Sequence, residues 1–209
     1  MVCHAGSLGL MVSCQAPEKE SSELTKQQEE VQRIVEELRL QYVEDGASTI
    51  ITYEEVLAAQ HAWCDALVEI GRRYDAGQDY RAYAEQVIDE AYNYQYGKVF
   101  FKPTLAYGTN TFRTTKEGAL SYFVGGSDKF PEDKGFALAP YVKARFENLG
   151  SSREGIQIYG ATAITMGNVY VTDKEGNEIM VDKTWVFKKG DDGKLRIIVH
   201  KSSLPFNPN

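Results

Sequence analysis

Residues Lys194–Pro205, with the sequence KLRIIVHKSSLP, join an alternating strand pattern to four polar residues and a proline. Because side chains alternate between the two faces of a strand, His200 and Ser202 share one face and Lys201 points to the other. An imidazole and a hydroxyl on one face predict a polar group at the mouth of a pocket. The same residues are also typical of hydrogen bonds that only anchor a C-terminal edge strand. The rest of the chain bears on this choice.

Four strand patterns in meander order lead up to this stretch and include it. Two of the turns between them, Asp173–Asn177 and Gly190–Gly193, carry the glycine and acidic residues of hairpins. A shorter pattern comes earlier, and Pro103 near its end favours an edge strand or a bend. The predicted strands are Lys98–Leu105, Tyr141–Asn148, Gln157–Thr172, Glu178–Lys188 and Lys194–Ser202.

Helical patterns fill the first half of the chain. Thr52 and Glu55 have the spacing of a capping box, which predicts the start of a helix. An earlier stretch is rich in Glu, Gln and Lys and has apolar residues near helical spacing, as in an amphipathic helix that leads into the domain or makes a dimer contact. The predicted helices are Leu24–Val43, Tyr53 to about Tyr74, Tyr80–Tyr96 and Lys116–Phe123.

Helices followed by long antiparallel strands predict an α+β domain in which a curved sheet wraps over the helices. Such a cone encloses a pocket between the concave face of the sheet and the helices. Residues 1–23 are predicted to form a leader and linker, residues 24–46 an N-terminal amphipathic helix, and residues 52–205 the cone-shaped domain.

Composition excludes several classes of partner. The net charge of the 209-residue chain is −7, whereas a nucleic-acid-binding protein needs basic residues to neutralise phosphates. The same charge argues against a polybasic membrane patch. No run of residues approaches the roughly 18 apolar residues of a membrane-spanning helix. We therefore expect a small substrate, no nucleic acid and no transmembrane segment.

Cys3, Cys14 and Cys64 do not form a disulfide framework. Cys64 lies in a helical pattern and is predicted to be a buried, inert thiol. Residues Leu8–Ser13 are followed by Cys14 in a way that resembles the lipobox of a bacterial lipoprotein signal, although the charged n-region is missing. The expectation is a periplasmic or membrane-anchored protein with a lipid anchor at Cys14, and the alternative is a cytoplasmic protein.

The three histidines limit the chemistry. His4, His61 and His200 are far apart in the sequence, so a three-histidine zinc site from one chain is nearly excluded. His61 is predicted to be a surface or packed residue, and a carboxylate-rich metal site stays open. An acyl-enzyme at Ser202 has no nucleophile elbow to support it. What remains is a group of hydroxyls with one imidazole, which can polarise a water and stabilise a small oxyanion, or only bind a small polar ligand.

Ordered sequence blocks over Thr52–Pro205 resemble one family. The blocks are Lys98–Leu105, Phe112–Arg113, Ala119–Gly126, Glu132–Ala137, Arg145–Asn148, Ala163, Met166–Asn168 and Asp192–Ile197, continuing to His200 and Ser202–Pro205. They resemble the iota-class carbonic anhydrases, in particular the bacterial and algal branch that works without metal, which is related to the association domain of calcium/calmodulin-dependent protein kinase II. The resemblance implies a nuclear-transport-factor-two-like (cystatin-like) cone with N-terminal helices packed in a curved antiparallel sheet. It also implies a homodimer and no cofactor.

By this resemblance, the catalytic residues are Thr104, Tyr122, His200 and Ser202, which would line a cavity for bicarbonate and the reacting water, with no metal. Thr104 and Ser202 would hydrogen-bond the substrate oxygens. Tyr122 would orient the water or help to take its proton. His200 would support the network or relay the proton.

The chain departs from the family at one position close to this chemistry. The family pattern is His-His-Ser-Ser, and here the second position is Lys201. By alternation Lys201 points away from the pocket, so the pocket survives, but turnover would suffer if the second histidine carries the proton relay. Two alternatives to a metal-free anhydrase stay open: a non-catalytic small-ligand-binding or dimeric assembly module of the same fold, and a zinc- or manganese-dependent anhydrase.

Overall fold

The computed structural model describes residues 25–34, 37, 49–150 and 153–208. Residues 25–34 are helical, which confirms that part of the predicted amphipathic helix. The predicted leader at residues 1–23, with Cys14, lies outside the described residues. Within the described part of the chain, no helix combines the length and the apolar character that crossing a membrane requires.

Three α-helices precede most of the sheet. Helix α1, Tyr53–Asp75, begins at the predicted capping box: the Thr52 hydroxyl accepts the amide proton of Glu55, and the Glu55 carboxylate accepts that of Thr52. Helix α2, Tyr80–Ala91, ends earlier than predicted because Tyr92 adopts an extended backbone and bridges to the sheet. A short 3-10 turn follows it. Helix α3, Lys116–Val124, ends at Gly125, whose φ of 66° lies in the left-handed region that glycine tolerates.

Six strands form one sheet in the order β1-β6-β5-β4-β2, with β3 paired to β4. The neighbours from β2 through β6 are antiparallel, whereas β1 runs parallel to β6, so the sheet is mixed and not purely antiparallel. The strands are β1 Phe100–Lys102, β2 Tyr141–Asn148, β3 Ile156–Tyr159, β4 Thr162–Asp173, β5 Glu178–Lys189 and β6 Leu195–Ser203.

The run Gln157–Thr172, predicted as one strand, is a hairpin of β3 and β4. Tyr159 pairs directly with Thr162, so the turn has two residues. Gly160 opens this turn at φ 57°, a conformation that costs glycine little. The inward positions change from even to odd across the turn, but exposed apolar residues on β4, Ile164 and Met166, hide this change in the sequence. Pro103 ends β1 at the edge of the sheet, as predicted.

One face of the sheet packs over α1 and α2 around an aromatic core, to which α3 adds two rings. Its buried rings come from α1, from the end of α2, from α3 and from β1, β2 and β5, namely Trp63, Tyr92, Phe101, Tyr122, Phe123, Phe146, Trp185 and Phe187. The predicted α+β class with helices against a curved sheet is confirmed. This arrangement places the ends of β1 and β6 next to α3.

Candidate active site

Thr104 and Ser202 meet at the ends of two parallel strands. Thr104 lies two residues after β1, and Ser202 is near the end of β6. Their hydroxyl oxygens are 2.6 Å apart, and both residues are buried, at 8% and 0% exposure. The Lys102 ammonium donates to the backbone carbonyl oxygens of both residues, at 3.3 Å and 3.1 Å. The parallel pairing and this lysine together fix the two segments side by side.

Tyr122 brings a third hydroxyl to the same place from α3. Its phenol oxygen accepts the backbone amide proton of Leu105 at 3.4 Å, and Thr104 lies beside it. Burial raises the pKa of Tyr122 to about 12, although the polar groups of Thr104 and Leu105 lower it in part. The phenol is therefore protonated at neutral pH. The structure thus brings together Thr104, Tyr122 and Ser202, three of the four residues that the family resemblance implies, in one hydroxyl cluster.

A cavity of about 220 Å³ borders this cluster at Tyr122. Leu105 lines it on one side, and residues 132–136 line it on the other. The acidic part of that loop is held in place by Asp133, whose carboxylate accepts from the Arg113 guanidinium at 2.9 Å and from the Ser121 hydroxyl at 2.7 Å. Of the three cluster residues, Tyr122 lines this cavity, so the cavity meets the cluster at the phenol.

His200 lies behind the cluster and not at the mouth of a pocket. The residue is 1% exposed, and its ring stacks on Phe101 with the centroids 4.4 Å apart. Its Nδ1 is 2.9 Å from the Tyr92 hydroxyl, and its Nε2 is 3.0 Å from the Lys183 Nζ. Burial lowers the pKa of His200 well below its ordinary value, so the imidazole is neutral. Among the described residues, neither ring nitrogen is hydrogen-bonded to Thr104, Tyr122 or Ser202.

Comparison with known proteins identifies the family. The family model for metal-independent carbonic anhydrases matches residues 54–204. The chain belongs to this family. A metal-independent carbonic anhydrase from Nostoc sp. (strain PCC 7120 / SAG 25.82 / UTEX 2576) is 58% identical over 158 residues, which are 75% of this chain and 75% of that protein.

One solved structure agrees with this assignment. The crystal structure of the iota-carbonic anhydrase from a cyanobacterium, complexed with bicarbonate, is 56% identical and has a TM-score of 0.73, covering 77% of this chain and 96% of that chain. A more distant structure is an NTF2-like superfamily protein from Salmonella enterica subsp. enterica serovar Typhimurium str. LT2, at 10% identity and a TM-score of 0.45 over 75% of this chain and 93% of that chain. The resemblance to the iota-class carbonic anhydrases is confirmed.

Lys183 is the residue of this carbonic anhydrase that sequence reasoning missed. It lies on β5 directly opposite Ser202 and is 3% exposed. Burial lowers the pKa of Lys183 from its ordinary value near 10.5 to about 7. A signal was present in the sequence: Val181 and Trp185 alternate on the inward face of β5, and Lys183 falls on that same face.

Lys201, which replaces the second histidine of the family pattern, lies on the outer face of the sheet as predicted. Its side chain is 49% exposed, and its Nζ donates to the Ser203 hydroxyl at 2.6 Å. The side chain is thus separated from the hydroxyl cluster by the strand itself.

Cys64 and His61, the other residues that the sequence analysis considered, lie outside the hydroxyl cluster. Cys64 is a buried free thiol, and burial raises its pKa to about 12, which confirms the predicted inert thiol. His61 is exposed on α1. Over the described ranges, no three His, Cys, Asp or Glu side chains come together in a group that could hold a metal ion.

Proposed function

We propose that this carbonic anhydrase interconverts carbon dioxide and bicarbonate at the cluster of Thr104, Tyr122 and Ser202, by a hydrogen-bond network without a metal ion. The observation that carries the proposal is the 2.6 Å contact between the Thr104 and Ser202 hydroxyls beside Tyr122. Hydroxyl donors held in a buried site stabilise negative charge that develops on substrate oxygens. The relative from a cyanobacterium whose structure contains bicarbonate supports the same ligand here.

We infer that the three hydroxyls act as one chain, Ser202–Thr104–Tyr122, since the first two are 2.6 Å apart and Thr104 also lies beside the phenol. Each hydroxyl can donate one proton and also accept one. If Ser202 donates to Thr104 and Thr104 donates to Tyr122, the free O–H is on Tyr122. If the direction is reversed, the free O–H is on Ser202. This O–H can donate to an oxygen of carbon dioxide or bicarbonate, and reversing the chain moves a proton from one end to the other.

Proton movement along this chain balances the reaction. A water oxygen bonds to the carbon of carbon dioxide, and one C–O π bond breaks. Its electron pair moves onto that oxygen, which becomes the negatively charged oxygen of bicarbonate. The water gives a proton to one hydroxyl of the chain, and Tyr122 releases another to solvent in the neighbouring cavity. The products are bicarbonate and a solvated proton. The phenol stays neutral at the start and at the end, as its raised pKa requires.

His200 supports this cluster through packing in our proposal. Its ring stacks on Phe101, and Phe101 meets Tyr122 edge-on with the centroids 5.7 Å apart. His200 also lies two residues before Ser202 on the same strand. A relay of the reaction proton through His200, the other predicted role, would need a hydrogen bond to the cluster in addition to those with Tyr92 and Lys183.

Stopped-flow measurement of carbon dioxide hydration tests the proposal. Tyr122→Phe removes the hydroxyl at the solvent end, and we expect kcat to fall about 100-fold, in the range for lost proton-transfer catalysis. Tyr159→Phe is the matched control, since Tyr159 is exposed on β3 and its phenol donates to the Gln157 side chain, away from the cluster. Wild-type kcat in Tyr122→Phe would contradict the proposed site. No activity in the wild type would favour the non-catalytic ligand-binding or assembly module.

We also propose that the protein is a homodimer that pairs through the outer face of the sheet. Exposed apolar side chains on this face include Phe100 on β1 and Ile164 and Met166 on β4. A second copy would remove them from water, which is the usual reason for such a patch. Light scattering tests this: a wild-type dimer and a Met166→Glu monomer support the face, and a wild-type monomer contradicts it.

We also propose that the protein is exported and carries a lipid anchor at Cys14; the alternative is a cytoplasmic protein. Cys14 lies outside the residues that the structure describes. Labelling cells that express the full chain with a palmitate analogue tests the anchor. Label on the wild type and not on Cys14→Ser supports acylation of Cys14. Absence of label on both contradicts it.

A further inference from the structure

A chain of buried hydrogen bonds runs behind the hydroxyl cluster. Trp63 Nε1 lies 2.9 Å from the Tyr92 hydroxyl, which lies 2.9 Å from His200 Nδ1. His200 Nε2 lies 3.0 Å from Lys183 Nζ. All four residues are buried in the aromatic core. The chain therefore joins α1, the end of α2, β6 and β5 at one point.

Donor and acceptor chemistry favours one arrangement of the protons along this chain. Indole Nε1 can only donate, so the Tyr92 oxygen accepts from Trp63. The phenol proton of Tyr92 has a partner in this chain only if His200 Nδ1 accepts it. Because Nδ1 accepts, a neutral imidazole carries its proton on Nε2. The Nε2–H donates to Lys183 Nζ, and an amine nitrogen accepts a proton only when it is uncharged.

Among the described residues, Lys183 has no carboxylate partner, since none of the ion pairs includes its Nζ. The Nζ lies 4.7 Å over the centre of the Trp63 ring, a contact that favours the ammonium but does not replace a carboxylate. Within the described part of the chain, the titratable groups that act on it are Cys64 from α1 and His200 from β6, and Tyr92 lies at the other ring nitrogen of His200.

The neighbouring strands add no charge. On the strands beside β5, the residues opposite Lys183 are Gly167 of β4 and Ser202 of β6. A buried ammonium without a carboxylate partner is costly, and burial lowers the pKa of Lys183 to about 7.

We propose that Lys183 is a positioning residue of the anhydrase: its neutral amine accepts the Nε2–H of His200, fixes the tautomer of that imidazole and so holds the end of β6 that carries Ser202. The link to catalysis rests on the proposed function of the hydroxyl cluster. His200 precedes Ser202 by two residues, and Lys183 faces Ser202 across the strand pair. Lys183 therefore acts through His200 and does not contact the substrate in this account.

Acid disrupts this arrangement in a defined way. A proton taken up by Lys183 turns its amine from an acceptor into a donor, so His200 must shift its own proton from Nε2 to Nδ1. Nδ1–H then needs the Tyr92 oxygen as acceptor, and the Tyr92 proton loses its partner. We expect kcat to decrease below about pH 7, where Lys183 is protonated, although the hydroxyl cluster itself does not titrate there.

Nitrogen-15 NMR of the full chain tests the tautomer without reference to activity. The chain has three histidines, so the imidazole signals are few. At pH 8 we expect His200 as the Nε2–H tautomer and a mixture or the Nδ1–H form in Lys183→Met. Lys201→Met, which changes a lysine on the outer face next to His200, should leave the tautomer unchanged. An Nδ1–H tautomer in the wild type, or a Lys183 that is still an ammonium at pH 9, would overturn the proposal.

Kinetics then test the link to catalysis. In Lys183→Met we expect kcat at pH 8 to fall about tenfold with KM nearly unchanged, the effect of one lost hydrogen bond, and the decrease near pH 7 to disappear. Lys183→Gln, which keeps an acceptor oxygen, should recover part of kcat and serves if Lys183→Met does not fold. An unchanged pH profile in both variants would overturn the positioning role. An inactive wild type with the Nε2–H tautomer would contradict the proposed function alone.

Discussion

The hydroxyl oxygens of Thr104 and Ser202 lie 2.6 Å apart, although 98 positions separate the two residues in the chain. The parallel pairing of β1 with β6 creates this contact, since Phe101 pairs with His200 and Lys102 with Lys201 just before it. The site of the anhydrase is thus built by strand register, and α3 adds Tyr122 from the side.

Because the Thr104 and Ser202 hydroxyls act as one unit, the decreases in kcat/KM on removing each of them should not be additive. We expect Thr104→Val and Ser202→Ala each to lower kcat/KM by about 10- to 100-fold, equal to one or two buried hydrogen bonds to the reacting group. The double variant should be little worse than the worse single variant. A double-mutant cycle measured by stopped-flow hydration checks this, and fully additive losses would show that the two hydroxyls act independently.

The loop beside the cavity depends on a buried ion pair. Arg113 is fully buried, and its guanidinium contacts the Asp133 carboxylate and lies over the Phe130 ring. We expect Arg113→Ala to lower the free energy of unfolding by about 3–5 kcal/mol, because the Asp133 charge loses its partner. Urea denaturation measures this loss.

The control for this prediction is Lys129→Ala, which removes an exposed pair with Glu117. An exposed pair contributes at most about 1 kcal/mol, so the control should change stability little. Equal losses in Arg113→Ala and Lys129→Ala would contradict the assigned role of the buried pair.

Lys183 should make the stability of the protein depend on pH. The pKa of Lys183 is about 7 in the folded chain and near 10.5 ordinarily, so between these values the unfolded chain binds more protons. Stability contributed by this group therefore rises with pH from about 7 to about 10, with a slope of up to about 1.4 kcal/mol per pH unit. Urea denaturation of the wild type and of Lys183→Met from pH 6 to pH 10 checks this. Parallel curves for the two proteins would exclude a neutral Lys183 in the fold.

Lys201 gives a direct test of the departure from the family pattern. Lys201→His restores the second histidine, but the side chain lies on the outer face, away from the hydroxyls. We expect kcat to stay within about twofold of the wild type, as for surface changes that leave the core unaltered. A gain of tenfold or more would show that a histidine at this position takes part in proton transfer.

The local parts of the fold could be predicted from the sequence, because their causes are local. Thr52 and Glu55 are three residues apart and cap α1 on their own. Alternation along β6 places Ser202 inside and Lys201 outside. The hairpin at Gly160 was missed because Ile164 and Met166 are apolar but exposed, which hides the change of inward face across the two-residue turn.

The site could be predicted only in part. The family resemblance supplied Thr104, Tyr122 and Ser202, whereas the parallel pairing that joins β1 to β6 has no local signal. The position of His200 depends on rings from α1, α2 and β5 that close around it, which no spacing within β6 reveals. Lys183 had a signal, a lysine in register with inward apolar residues, and its meaning becomes clear only beside His200.

The central claim is that these hydroxyls hydrate carbon dioxide without a metal ion. The most direct test is stopped-flow hydration by the full chain before and after removal of metals with a strong chelator, with the metal content measured in both samples. Our account predicts the same kcat in both samples and no gain on adding zinc or manganese. Activity that is lost with the metals and returns with either ion would contradict it.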